Sequence, residues 1–486
     1  AFYLQAAFFK VFGVTFTAYR LHAATVSALV AMLAMSIVPL IYAAPLWHVA
    51  AVGLITAIWY YAPMGLPWYN QTAMLFGYLA LWLCLLLRYR VTQHPGGSGQ
   101  NSSAPTRIFI PLIALATTLA FFSKQNAGLL LIAMPLLLVG GLGSWREWVK
   151  SSLIYALSLG AWALVSATLV FFFSDPRLFK IFFFEVPAGD VGTRLASGYY
   201  LSKSMIGHAL GLGAVLLPTL WPLRYAQRWA YLRHIGIMLF LLLCASAFHL
   251  LFSATSSTAA FFSLPFLGLV VALSIQLVAS AWYYFPTLSA RPLLRLRQVT
   301  TALGILVTGL LCVYGLWLIY SFKVKRDAGP FHLSAPLQGA GLDGLRWHDP
   351  NGIPLDEFLQ PLAFLKATRQ PFAVFGCSSL YYGLCGQPSV LPLLWQHPGL
   401  TYSAHYDAPQ RLLDDWMTHR LEDSGVTYLL MDIPSDNYSG ELPRAWPRFH
   451  RYFREHFILE KSYGAYFKLY RKRLEISSTE RLHYNK

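Results

Sequence analysis

Residues 108–143 read IFIPLIALATTLAFFSKQNAGLLLIAMPLLLVGGLG. The hydrocarbon core of a bilayer is ~30 Å thick and takes about 20 helical residues. As a single helix, these 36 residues would run to about 54 Å at ~1.5 Å each, too long for one crossing. Ser123-Lys124-Gln125-Asn126 stands at the middle of the stretch. A lysine at mid-bilayer costs ~2.5–3.5 kcal/mol on insertion scales. Two crossings with Lys124 at the turn between them remove both conflicts.

The rest of the chain supports a membrane reading. Of 486 residues, 56% are hydrophobic and only 12% charged, with mean hydropathy +0.48. That excludes a soluble enzyme, a disordered chain and a disulfide scaffold. Apolar runs long enough to cross fall near 18–43, 46–63, 69–87, 108–122, 126–143, 149–173, 208–223, 235–254, 259–284 and 302–322, about ten in all.

Charge divides the chain near Phe322. Residues 1–322 hold 18 Lys and Arg but four acids, Glu147, Asp175, Glu185 and Asp190. Residues 323–486 hold 19 Lys and Arg with 17 acids. An ionised carboxylate is costly in hydrocarbon, so acid starvation fits a bundle in lipid. The balanced remainder fits a water-exposed domain. The expected organisation is a transmembrane domain (1–322), a small α/β domain (323–473) and a polar tail (474–486).

The connections 88–107, 144–150, 224–234 and 285–299 carry eleven Lys and Arg. The alternate short connections, 64–68, 123–125 and 255–258, carry only Lys124. The positive-inside rule puts the first set in the cytoplasm. Lys124, the loop 174–207 and the C-terminal domain then lie outside. This orientation also puts residue 1 outside. With Ala first and no signal peptide, at least one upstream crossing and its loop are expected. The basic excess is topological and does not indicate nucleic-acid binding.

Cys84, Cys244 and Cys312 lie in apolar runs and read as packing residues. Cys377 and Cys385, in GCSSLYYGLCG, lie on the side where a disulfide is permitted. The alternative is two small residues under a loop. In the C-terminal domain, helices are expected over 356–370, 408–425 and 444–457. Strands are expected over Phe372–Phe375 and Val426–Met431, with a hairpin over 458–473 turning at Gly464. There is no Gly-rich phosphate loop and no Cys/His zinc spacing, so nothing in the sequence points to a nucleotide or a divalent metal, and a metal requirement stays open.

Three segments resemble GT-C membrane glycosyltransferases, the branch of the protein O-mannosyltransferases and the aminoarabinose transferase of lipid A (family 39 type). AFYLQAAFFKVFGVTFTAYRLHAATVSAL (1–29) is similar to the segment after that family's first external loop, including the early Arg20. FFSKQNAGLLLIAMPLLL (121–138) resembles its polar break before an apolar run, and YNQTAMLFGYLALWL (69–83) its external Tyr-Asn helix start. The resemblance implies transfer of a sugar from a polyprenyl-phosphate carrier to a lipid, glycan or protein acceptor. It implies the extracytoplasmic face of a bacterial inner membrane. The family's catalytic first-loop Asp lies upstream of the segment matching 1–13, so that residue is expected before Ala1.

Lys124 is the leading candidate for the donor phosphate, because a preorganised cation in a dry cleft stabilises a leaving anion. The competing reading is a lysine snorkelling to lipid headgroups. Arg194 and Arg20 are the supporting cations; Arg20 otherwise anchors its helix. Tyr69, Asn70, Gln125 and Asn126 are candidate sugar or acceptor contacts, Asn70 otherwise being a helix cap with an interfacial Tyr69 beside it. Asp175, Glu185 and Asp190 are the external acids that could serve as acid or base, or simply solvate a loop. His249 reads as a hydrogen-bonded packing histidine, and His48 as interfacial. The loop around Trp395–Gly399 and Asp407 reads as a structural turn or an acceptor contact. Two other classes fit the composition: a flippase of lipid-linked sugars and a catalytically silent assembly protein. A flippase often shows paired broken helices, and only one polar break is present.

Overall fold

A computed structural model describes residues 2–13, 16–59, 69–93, 103–124, 128, 132, 145–173, 199–224, 228–255, 266–283, 290–326, 354–376, 378–393, 406–432 and 444–473. They fall into two compact units, one ending at Ser321 and the other running from Phe322 onward.

The first unit is helical: α1 (Phe2–Phe12), α2 (Phe16–Ile41), α3 (Leu46–Trp59), α4 (Tyr69–Gln93), α5 (Ser103–Ser123), α6 (Trp145–Phe173), α7 (Tyr199–Leu220), α8 (Arg228–Thr255), α9 (Leu267–Tyr283) and α10 (Ala290–Arg326). Four contain stretches long and apolar enough to cross a membrane: Arg20–Ile41, Gln71–Val91, Trp148–Phe172 and Gln298–Ile319. Five shorter apolar helices accompany them, Leu46–Trp59, Ile108–Ser123, Leu210–Leu223, His234–His249 and Leu267–Ala281. Of the expected run 126–143, only Gly128 and Ile132 are described.

The outer faces of these helices are greasy. Leu164, Phe172 and Val313 are 69%, 77% and 67% exposed. Water would penalise apolar faces of this extent, and lipid solvates them. Inside, Val52, Met74, Tyr78, Ile113, Leu273 and Phe266 belong to one continuous core.

Paired contacts give the helix directions. Met35 packs on Gly53 while the Tyr42 hydroxyl lies 2.8 Å from His48 Nδ1, so α2 and α3 are antiparallel. The Phe266 amide donates to His249 Nε2 at 3.0 Å, and Ser280 Oγ lies 3.4 Å from His234 Nε2, so α8 and α9 are antiparallel too. Trp47 packs on Gly304, Ile58 packs on Gly315, and Trp59 Nε1 donates to Leu311 O at 3.1 Å, so α3 and α10 run parallel. These relative directions match the alternation read from the basic connections. His249 is the buried packing residue expected of it. His48, read as interfacial, is buried against Trp47 and Tyr42, its Nδ1 2.8 Å from the Tyr42 hydroxyl.

The second unit holds α11 (Leu355–Thr368), β1 (Phe372–Phe375), α12 (Leu380–Cys385), α13 (Ala408–Asp423), β2 (Tyr428–Asp432), α14 (Pro447–His456), β3 (Phe457–Tyr463) and β4 (Phe467–Lys472). The sheet order is β1-β2-β4-β3, with β1 and β2 parallel and the other two pairings antiparallel. Strand side chains alternate between faces. Ala373, Phe375, Leu429 and Met431 therefore pack on one side, with Leu413, Met417 and Phe449. Phe372, Val374, Tyr428 and Leu430 pack on the other, with Phe358, Leu362 and Leu365. Covering both faces buries β1 and β2 throughout, which explains their unbroken apolar sequence. Gly464 turns the β3–β4 hairpin at φ +58°, a conformation costly for other residues. Glu357 Oε2 accepts from the Ala465 and Tyr466 amides at 3.0 and 3.4 Å, which fixes that turn to α11.

Candidate functional site

The apex of the hairpin that begins with α5 is the best-defined candidate site. Along α5, the Thr117, Thr118 and Ser123 hydroxyls donate to the Ile113, Ala114 and Leu119 carbonyls at 2.9, 2.8 and 2.7 Å. Such back-bonding keeps hydroxyls satisfied where water is absent. The Lys124 amide makes the closing bond of the helix, to Ala120 O at 3.0 Å. The Gly128 amide then donates to Lys124 O at 2.9 Å.

Gly128 nevertheless lies back against α5. A Cβ on Gly128 would overlap the backbone of Phe121. In a straight helix, residues seven apart are ~10 Å apart. One turn deeper, the Tyr155 hydroxyl of α6 lies 3.4 Å from Thr117 Oγ1 and 3.3 Å from Ile132 O. The pairs 121/128 and 117/132 centre on the same point, between Lys124 and Gln125. Gly128 and Ile132 thus lie back alongside α5 and α6, with Lys124, half-buried, at the end of α5 between the paired positions.

Other sequence candidates are placed less completely. Arg20 is exposed near the start of α2. Tyr69 and Asn70 form the first turn of α4, and their side chains lie outside the described residues. Gln125, Asn126, Asp175, Glu185, Asp190 and Arg194 lie outside the described residues, so the structure does not bring them to Lys124 or separate them from it. Near Arg20, the sequence reading missed Gln5. Its Oε1 lies 2.5 Å from His22 Nδ1, and Phe8 packs on the same imidazole with ring centres 4.8 Å apart. That contact clamps α1 to α2. Only the spacing of polar residues within two apolar helices could have signalled it.

In the second unit the polar contacts are structural. Asp407 caps α13, its Oδ1 accepting from the Gln410 amide at 3.0 Å, which favours the turn reading over an acceptor contact. Trp395–Gly399 lie outside the described residues. Asp414, fully buried, accepts from the Arg448 and Phe449 amides at 2.9 Å each and from the Tyr406 hydroxyl at 3.0 Å. It holds the N-terminus of α14 from a neighbouring helix. Burial pushes its carboxyl above the usual range against the pull of those donors. Burial, then the Asp414 charge, pushes the Tyr406 hydroxyl up to about 12.

Cys385 is a free thiol in the structure, and Cys377, the other half of the disulfide weighed for the pair, lies outside the described residues. Burial raises the Cys385 thiol, offset in part by Lys366. It packs against the core cluster that holds Tyr381 and Leu362. Among the described residues, no group of three His, Cys, Asp or Glu could hold a metal ion.

Among solved structures, the chain is similar to that of ArnT from Cupriavidus metallidurans bound to undecaprenyl phosphate. The match covers 97% of this chain and 87% of that one, at 15% identity and a TM-score of 0.42. At that identity no residue role passes from one protein to the other. No family model matches the chain, and no curated protein sequence matches it.

Proposed function

We propose that the protein is a membrane glycosyltransferase that moves a sugar from a polyprenyl-phosphate carrier to an acceptor at the extracytoplasmic face. The observation that supports it most is the hairpin apex. A half-buried lysine tops a helical hairpin that the basic connections orient away from the cytoplasm. A leaving lipid phosphate needs a cation held in place before the bond breaks, and a site poor in water strengthens that attraction. Lys124 supplies it, with Arg20 and Arg194 as the supporting cations. Tyr69, Asn70, Gln125 and Asn126 contact the sugar or acceptor. The acceptor attacks the anomeric carbon, the bond to the phosphate breaks, and a carboxylate takes the acceptor proton.

The sequence resemblance of 1–29, 69–83 and 121–138 supports the same reaction class. The test is sugar transfer from a labelled polyprenyl-phosphate donor, by membranes carrying the protein. Transfer that falls at least about a hundredfold in Lys124→Ala, roughly the loss of one preorganised charge contact, supports the assignment. Wild-type turnover in Lys124→Ala removes Lys124 from the mechanism. No transfer by the unaltered protein contradicts the reaction class.

A further inference from the structure

Charge in the second unit is segregated. Residues 323–443 carry eight Lys and Arg against thirteen acids, whereas residues 444–473 carry nine against two. The basic segment is α14, β3 and β4. Helix α14 turns Phe449 and Phe453 into the core and leaves Arg448, Arg451 and Arg454 exposed along one stripe. Strand β3 is the sheet edge, and its residues 458–462 are all exposed. They include Ile458 and Leu459 beside Lys461, whose ammonium sits 4.9 Å from the Tyr463 ring centre.

Part of this charge is internally neutralised. Arg448 pairs with Asp415 at 2.6 Å, and Arg471 with Glu460 at 3.1 Å. Arg451, Arg454, Lys461 and Arg473 pair with no carboxylate among the described residues. The unit also follows directly on an apolar stretch long enough to span, Gln298–Ile319 within α10. Cations mixed with exposed aliphatic side chains, on a unit tethered to a bilayer, match the chemistry of a membrane interface.

We propose that α14 and the edge strand β3 form a membrane-binding face that takes the phosphate headgroups of anionic phospholipids. Basic side chains attract the headgroups, and the exposed edge of β3, with Ile458 and Leu459 splayed to its two sides, meets the boundary beneath them. This goes beyond the transferase reading and does not depend on it.

Amine acetylation of the full chain in vesicles, followed by mass spectrometry, tests it. Each Lys or Arg near such a surface is worth roughly fivefold in binding. Lys461 should therefore be acetylated at least about fivefold more slowly with about 30% phosphatidylglycerol than in pure phosphatidylcholine. Lys366, on α11, should change little. The protection should vanish at roughly 1 M salt, where the Debye length is ~3 Å. It should also vanish in an Arg451→Glu/Arg454→Glu double variant, both sites being exposed. Equal acetylation in the two lipids overturns the proposal. So does protection that persists in neutral vesicles or at high salt, which would indicate a protein contact instead.

Discussion

Gly128 lies against the backbone of Phe121, seven residues earlier in the chain. That contact brings Gly128 back beside α5, with Lys124 between the two positions. An alanine at 128 must push the chain at that point away from α5. Gly128→Ala should destabilise the bundle by about 1–3 kcal/mol, the usual cost of overpacking. Gly160, where an added Cβ meets nothing, is the control: Gly160→Ala should be neutral or stabilising by up to ~1 kcal/mol. Thermal unfolding of the two variants in detergent compares them; equal melting temperatures would refute the hairpin contact.

Asp414 joins α13 to the start of α14 through two backbone amides. Asp414→Ala leaves both amides without their acceptor, and Phe449, which carries one, is fully buried. A loss of about 2–4 kcal/mol is expected. Asp414→Asn keeps one carbonyl acceptor and should lose less. Hydrogen exchange along 447–456 should rise in the alanine variant, and unchanged protection there would remove the capping role.

The Cys385 thiol is shifted upward, chiefly by burial. Only the thiolate is nucleophilic. At pH 8 its maleimide labelling should lag well behind that of an exposed cysteine, and the rate should keep climbing above the ordinary thiol range. Fast labelling at pH 8 would contradict the burial. No labelling after full denaturation without reductant would show that the thiol is blocked, as in a bridge to Cys377.

Much of the fold was legible because burial writes itself plainly into sequence. Phe372–Phe375 is an apolar run between Pro371 and Gly376, and the observed strand has those limits. The helices after Pro354 and Asp407 and the turn at Gly464 announced themselves through breaker and cap residues. The break at Lys124 was legible because no single helix fits that run.

Other features depend on partners far along the chain. Helix α12, in a stretch rich in Ser, Gly and Cys, is held by Tyr381, whose hydroxyl donates to Phe358 O at 2.8 Å. Asp414 looks like half of an ordinary acidic pair with Asp415. Its capping role depends on residues 34 and 35 positions away. The bulge between Leu459 and Lys461 leaves no mark in the alternation of β3. Helix α10 starts at Ala290, well before the apolar run at 302, because its Leu- and Arg-rich first turns favour a helix without burial.

The proposed transfer requires the Lys124 apex and the α/β unit to face the same, non-cytosolic compartment. Cysteines introduced one at a time as Lys124→Cys and as Ser462→Cys, at an exposed site of β3, test it directly with a membrane-impermeant maleimide. Labelling of both in intact, wall-stripped cells before lysis is the predicted result. If either cysteine were labelled only after lysis, the topology and the transferase mechanism built on it would be contradicted.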